Sequence, residues 1–189
     1  MPTLTRARMH TRAPMISMYR MKTLAQVTPH HKAGSTHSGR RIQVRKSGVH
    51  GKGVYALRDI AAGESLIEYI GEIIDWKEAL RRHPHDPSDP NHTFYFHIDE
   101  KHVIDANVGG NASRWINHAC EPNCEADETD GRVFIKALRD LAPGEELFYD
   151  YGLVIDERLT PKLKKQYQCR CGSPVCRGTM LAPKRRASR

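Results

Sequence analysis

At 189 residues, 39% of them hydrophobic, the chain is long enough for one domain with a real core plus tails. Its net charge of +8 hides a division: no Asp or Glu precedes Asp59 or follows Glu157, and the stretch between them sets 22 acidic residues against eight Lys or Arg, a local net of −14. That middle would repel a phosphate backbone and suits a basic peptide, and no run of 18 apolar residues offers a membrane-spanning helix.

Residues 1–38 are free of acid, carry Arg6, Arg8, Arg12, Arg20, Lys22 and Lys32, and lack the apolar stretch of a secretory signal. They resemble a transit peptide only in charge and read as a disordered basic tail, with Met9, Met15, Met18 and Met21 as alternative starts. Arg40 to Lys46 alternates as a half-buried strand, and Val54 to Leu57 begins a second after the Gly51-Lys52-Gly53 punctuation. Ser65 to Ile74 is apolar and β-rich, and Asp75 caps a predicted helix over Trp76 to Arg82. Residues 83–92, with three prolines and three histidines, read as a loop whose histidines are solvated. Thr93 to Ile98 and His102 to Asp105 read as strands joined at Asp99-Glu100. Asp130-Gly131 is a hairpin turn into a strand over Arg132 to Ala137. Glu146 to Tyr151 follows the Pro143-Gly144 turn, and Lys162 to Gln168 suits a short helix. Many short strands with frequent turns predict a mainly β domain with short helices. The Lys184-Arg185-Arg186 cluster reads by default as a solvated basic tail, with a nuclear localisation or phosphate-contacting patch as the alternatives.

All five cysteines lie in the last 70 residues, and without a secretory signal metal binding outranks disulfides. Cys169-x-Cys171-x4-Cys176 brings three thiolates within reach of one tetrahedral Zn²⁺, and the fourth ligand must come from Cys120 or Cys124. Asn117-His118, inside the run Arg114 to Cys124, is too polar for a buried strand and lacks helical periodicity, so it demands a specific task for its amide and imidazole. Tyr149 and Tyr151, two apart, face the same side of a strand, where a pure core would favour Phe.

Taken in order, Gly51-Lys52-Gly53, Tyr69-Ile70-Gly71-Glu72, Asn117-His118-Ala119-Cys120, Tyr149-Asp150-Tyr151 and the three C-terminal cysteines resemble the motifs of the SET-domain protein lysine methyltransferases. The resemblance covers about residues 40–180. It implies a SET-domain fold, several small β-sheets around a knot-like substructure, over residues 39–158. It also implies a zinc-binding post-SET segment over 159–181, with basic tails at 1–38 and 182–189. It assigns the fourth zinc ligand to Cys120, giving Cys120, Cys169, Cys171 and Cys176. Tyr151 takes the catalytic position, Tyr149 a site that limits methyl number, and Tyr69 a place in the lysine channel. S-adenosylmethionine is expected against Gly51, Lys52, Gly53, Val54, Tyr95, Arg114, Asn117, His118 and Tyr151. Ala119 in place of the commoner Ser and Trp115 in place of Phe are mild departures, and no cysteine-rich region precedes residue 40.

The implied activity is methyl transfer to a lysine of a basic protein, a histone tail first and a ribosomal protein second, giving mono- or dimethyl product. A catalytically silent peptide-binding module of the same fold is the alternative. Nucleic acid is a partner only through the tails, and no membrane is involved. The compartment is cytoplasmic, or nuclear if the substrate is a histone.

Overall fold

The computed structural model describes residues 39–83, 93–155 and 158–183. The basic N-terminal tail, most of the proline- and histidine-rich loop and the Lys184 cluster lie outside the described residues.

Strands β1 (Ile42–Lys46) and β2 (Lys52–Ala56) pair antiparallel, with Lys46 opposite Lys52. The Ser47 hydroxyl caps their turn by accepting the Val49 N–H at 2.9 Å, and Gly51 supplies the positive φ of 47° that closes it. The apolar run Ser65 to Ile74 does not stay one strand. It breaks into β3 (Ser65–Tyr69) and β4 (Glu72–Asp75), which join different sheets. The break falls at Gly71, where a Cβ would stand 2.5 Å from the Asp105 carbonyl oxygen, so only glycine lets the chain cross that backbone.

Helix α1 (Trp76–Arg82) has the predicted bounds, because the Asp75 carboxylate accepts the Glu78 N–H at 2.7 Å and Arg81 and Arg82 complement its C-terminal dipole. It packs beside β4, β6 (His102–Asp105) and β5 (Tyr95–His97), which form a three-stranded sheet in the order β4-β6-β5. A short 3-10 helix, Ala112–Trp115, follows.

Asn117–His118 then forms strand β7, buried on both residues, contrary to the expectation that the pair is too polar for one. Burial is tolerated because its amide and imidazole find partners, described below. The strand before the hairpin turn, missed in the sequence, is β8 (Cys124–Thr129); it pairs with β9 (Arg132–Ala137), and β9 with β3. Asp130 and Gly131 both take positive φ, 53° and 73°, as a tight two-residue hairpin requires. Strand β10 (Phe148–Tyr149) returns to lie parallel to β7, with Tyr149 in register with His118. Helix α2 (Pro161–Gln166) starts one residue earlier than the sequence suggests, since Thr160 caps it and Pro161 needs no donor there.

The main core gathers Val54, Leu66, Phe96, Ile104, Ile116, Ile135 and Leu147 from all of these sheets. A second cluster, Leu153, Ile155, Tyr167 and Leu181, holds the C-terminal segment. Tyr151 packs against both, so it stands at the seam between them.

Candidate active site

Two cavities meet at that seam. The larger, of about 300 Å³, runs from His50, Gly51 and Lys52 past Arg114, Trp115, Asn117 and His118 to Leu153 and Met180. The smaller, of about 30 Å³, is a slot between the rings of Tyr69, Tyr95, Phe96, His97, Tyr149 and Tyr151. Thr93, Arg114 and Tyr151 line both.

The slot is held by its hydroxyls as much as by its rings. Tyr69 donates to the Phe94 carbonyl at 3.1 Å and Tyr95 to the Ala79 carbonyl at 3.1 Å. The rings of Tyr149 and Tyr151 are 4.9 Å apart, and those of Tyr69 and Phe96 5.0 Å. Tyr151 donates its O–H to the Ile116 carbonyl at 2.9 Å, and burial pushes its acidity well away from neutral pH, so it stays a phenol. With its proton committed, the phenol oxygen keeps lone pairs to accept a hydrogen bond.

Asn117 ties the loop after β1 to the strand ladder: its amide nitrogen reaches the carbonyls of His50 at 3.2 Å and Lys52 at 2.9 Å, and Glu146 Oε1 at 3.2 Å. His118 accepts the Tyr151 N–H on Nδ1 at 3.1 Å, which leaves the proton on Nε2, 3.4 Å from Cys120 Sγ. Burial drives its pKa down to about 4, so the ring is neutral at physiological pH. Lys52 Nζ and the Arg114 guanidinium stand over the Trp115 ring at 4.4 and 4.8 Å, and Phe94 packs edge-on to it at 4.9 Å. Trp115 therefore gives the larger cavity a broad wall.

Of the residues expected at a cofactor, Gly51, Lys52, Arg114, Asn117, His118 and Tyr151 line the larger cavity. Gly53, Val54 and Tyr95 do not. A Cβ on Gly53 would collide with Glu146 Oε1, so its bare face admits that carboxylate. Val54 is fully buried in the core, and Tyr95 turns into the slot. Thr93, Phe94, Lys165, Gln166 and Gln168 carry no motif, and only the fold brings them to the cavities.

The sulfurs of Cys120, Cys169, Cys171 and Cys176 lie within 4.8 Å of one another, with Cys120 3.7 Å from Cys169 and 3.9 Å from Cys176. A tetrahedral ion with bonds of about 2.3 Å sets its sulfurs about 3.8 Å apart, so this donor set fits Zn²⁺. Backbone N–H groups of Arg177 and Gly178 already point at Cys120 and Cys176, both at 3.3 Å, as they do around thiolates. Burial acts upward on Cys171, but N–H donors and neighbouring thiols outweigh it and bring it down to about 7. Cys124 stands apart, fully buried in β8, its thiol pushed up to about 12 by burial. Among the described residues no helix is long and apolar enough to cross a membrane.

The SET domain profile matches residues 51–152, over half of the chain. The chain is 40% identical over 140 residues to histone-lysine N-methyltransferase trithorax of Drosophila melanogaster, covering 72% of this chain and 4% of that protein. It is 42% identical over 142 residues to the H3 lysine-4 specific histone-lysine N-methyltransferase of Kluyveromyces lactis, covering 72% and 14%. To putative histone-lysine N-methyltransferase 1 of Plasmodium falciparum it is 38% identical over 148 residues, covering 76% and 2%. The chain thus spans a small part of the length of the curated relatives it matches. The mainly β architecture and the residues matched agree: the chain belongs to the SET-domain family.

Proposed function

We propose that this chain is an S-adenosylmethionine-dependent protein-lysine N-methyltransferase acting on a basic protein, with a histone tail as the substrate class and mono- or dimethyl-lysine as product. The observation that carries this reading is the junction of the two cavities at Tyr151. The larger, of about 300 Å³, has room for an adenosyl group, and the smaller is a narrow slot lined by aromatic rings. The printed names of the relatives, histone-lysine N-methyltransferases, support the substrate class.

In this reading Gly51, Lys52, Arg114, Asn117 and His118 hold the donor, and Trp115 walls it. When bound, the donor supplies an electrophilic sulfonium methyl. The slot excludes water from the incoming lysine, which disfavours its ammonium form and pulls the amine below the ordinary lysine pKa of about 10.4. The Tyr151 oxygen accepts one N–H of the neutral amine and turns its lone pair toward the larger cavity; such orientation supplies much of the rate. A phenol whose deprotonation is opposed by burial is a poor base, so the amine's proton leaves to water before transfer. Cys120, together with Cys169, Cys171 and Cys176 of a post-SET segment over 159–181, would hold Zn²⁺, and Cys124 takes no part.

The test is transfer of radiolabelled methyl from S-adenosylmethionine to core histones and ribosomal proteins. The wild type is expected to label a histone lysine, and Tyr151→Phe to lose about 100-fold or more of the rate while binding S-adenosylhomocysteine as tightly. Retained turnover in Tyr151→Phe would remove the proposed role. Label on ribosomal proteins alone would replace the substrate class, and label on none would favour a silent peptide-binding module.

A further inference from the structure

A chain of hydrogen bonds joins the cysteine cluster to the turn that carries Tyr151, and its central member is Arg177. This residue directly follows Cys176, and its backbone N–H donates to Cys120 Sγ at 3.3 Å. Its guanidinium donates twice to Asp150, Nη1 to Oδ2 at 2.7 Å and Nη2 to Oδ1 at 2.8 Å. Asp150 Oδ1 also accepts the Gly152 N–H at 3.0 Å. The same oxygen stands 3.4 Å from His118 Nδ1, the atom that accepts the Tyr151 N–H.

That last proximity is unfavourable by itself. His118 turns its Nδ1 lone pair toward the Tyr151 N–H, so Asp150 Oδ1 and His118 Nδ1 are two acceptors face to face. The Arg177 guanidinium, which draws on both carboxylate oxygens, and the Gly152 N–H offset that repulsion. The fork of Arg177, with side-chain exposures of 27% and 35% for the two partners, has the bidentate, half-buried geometry that fixes position. Without it the carboxylate is expected to turn away from His118, releasing the Gly152 N–H and loosening the turn at Tyr151. Gly152 sits at a φ of 56°, so this turn has few other restraints from its own backbone preference.

We propose that Arg177 is a positioning residue: its bidentate hold on Asp150 aims the Tyr151 phenol, and so ties the phenol's position to the cysteine-bearing loop. Its consequence for turnover rests on the role proposed for Tyr151, whereas its structural content does not.

The experiment is amide hydrogen exchange on the full zinc-loaded chain, alongside steady-state methyl transfer to a histone peptide. In Arg177→Gln, exchange at the Tyr151 and Gly152 amides is expected to speed up by about tenfold or more, with the amides of β9 and the zinc content unchanged. kcat should fall by about tenfold or more while the peptide KM stays within about twofold. Arg177→Lys, which keeps the charge without the fork, should recover part of both. Wild-type protection at both amides in Arg177→Gln would overturn the proposal. So would a loss of protection spread equally over β9, or one that tracks lost zinc, since either marks a merely structural role. If the wild type transfers no methyl, the exchange measurement decides alone and the failure belongs to the function proposed above.

Discussion

Tyr149 lies 7% exposed between the rings of Tyr151 and Phe96, at 4.9 and 6.4 Å, on the wall of the narrow slot. In the reading proposed above, a hydroxyl there takes up volume where an additional methyl would need to turn. Tyr149→Phe is therefore expected to shift product from mono- toward di- and trimethyl-lysine, read by mass spectrometry of a peptide under limiting enzyme; trimethyl product from the wild type would contradict it. At this scale the sequence was informative where a residue type was out of place. Two tyrosines on one strand face, an Asn-His pair and three close cysteines each needed a chemical reason. It was misleading about Asn117 and His118 as strand residues. Polarity argued against a buried strand, but the carbonyls of His50 and Lys52, the Tyr151 N–H and Cys120 satisfy the pair inside. Thr93, Phe96 and Arg177 advertised nothing, because their contribution depends on partners brought from far along the chain or on a fork geometry that sequence does not encode.

Among the elements, α1 and β9 were legible to the residue, since a capping Asp and a two-residue hairpin turn are local signals. The division of Ser65 to Ile74 was not. Its cause is a backbone crossing at Asp105, far along the chain. Nor was the pairing of β7 with β10, which joins segments of two residues each. The C-terminal segment offers its own test. Burial that raises the Cys124 thiol to about 12 keeps it protonated and shielded, whereas Cys171, at about 7, is largely thiolate at about pH 8 once metal is removed. Chelated protein treated with iodoacetamide at about pH 8 is expected to label Cys171 first and Cys124 only on unfolding. Lowering the pH to about 6 should slow the Cys171 reaction about tenfold, because its thiolate fraction falls below its pKa. Peptide mapping reads both; early labelling of Cys124 would place the wrong cysteine outside the metal site. Zinc added before the reagent should protect Cys120, Cys169, Cys171 and Cys176 together.

Over the whole molecule, the acid-rich middle and the acid-free flanks make the charge distribution more informative than its sum. A basic substrate approaching a net of −14 is drawn by a field that salt screens, with a Debye length falling from about 30 Å at 0.01 M to about 10 Å at 0.1 M. KM for a basic peptide is therefore expected to rise several-fold between those ionic strengths while kcat holds, and a KM indifferent to salt would mean that contacts inside the slot, and not the surrounding field, select the substrate.

One wall of the larger cavity comes from Lys165, Gln166, Gln168, Cys169, Arg170 and Met180, and the bridge between Leu153 and Leu181 ties this segment to the rest of the fold. During translation the motifs up to Tyr151 therefore leave the ribosome before that wall does, and at roughly 5–20 residues per second the stretch to Leu181 follows seconds later. In the reading proposed above, a nascent chain that already carries Tyr151 still lacks one wall of its donor cavity, so competence arrives late in synthesis.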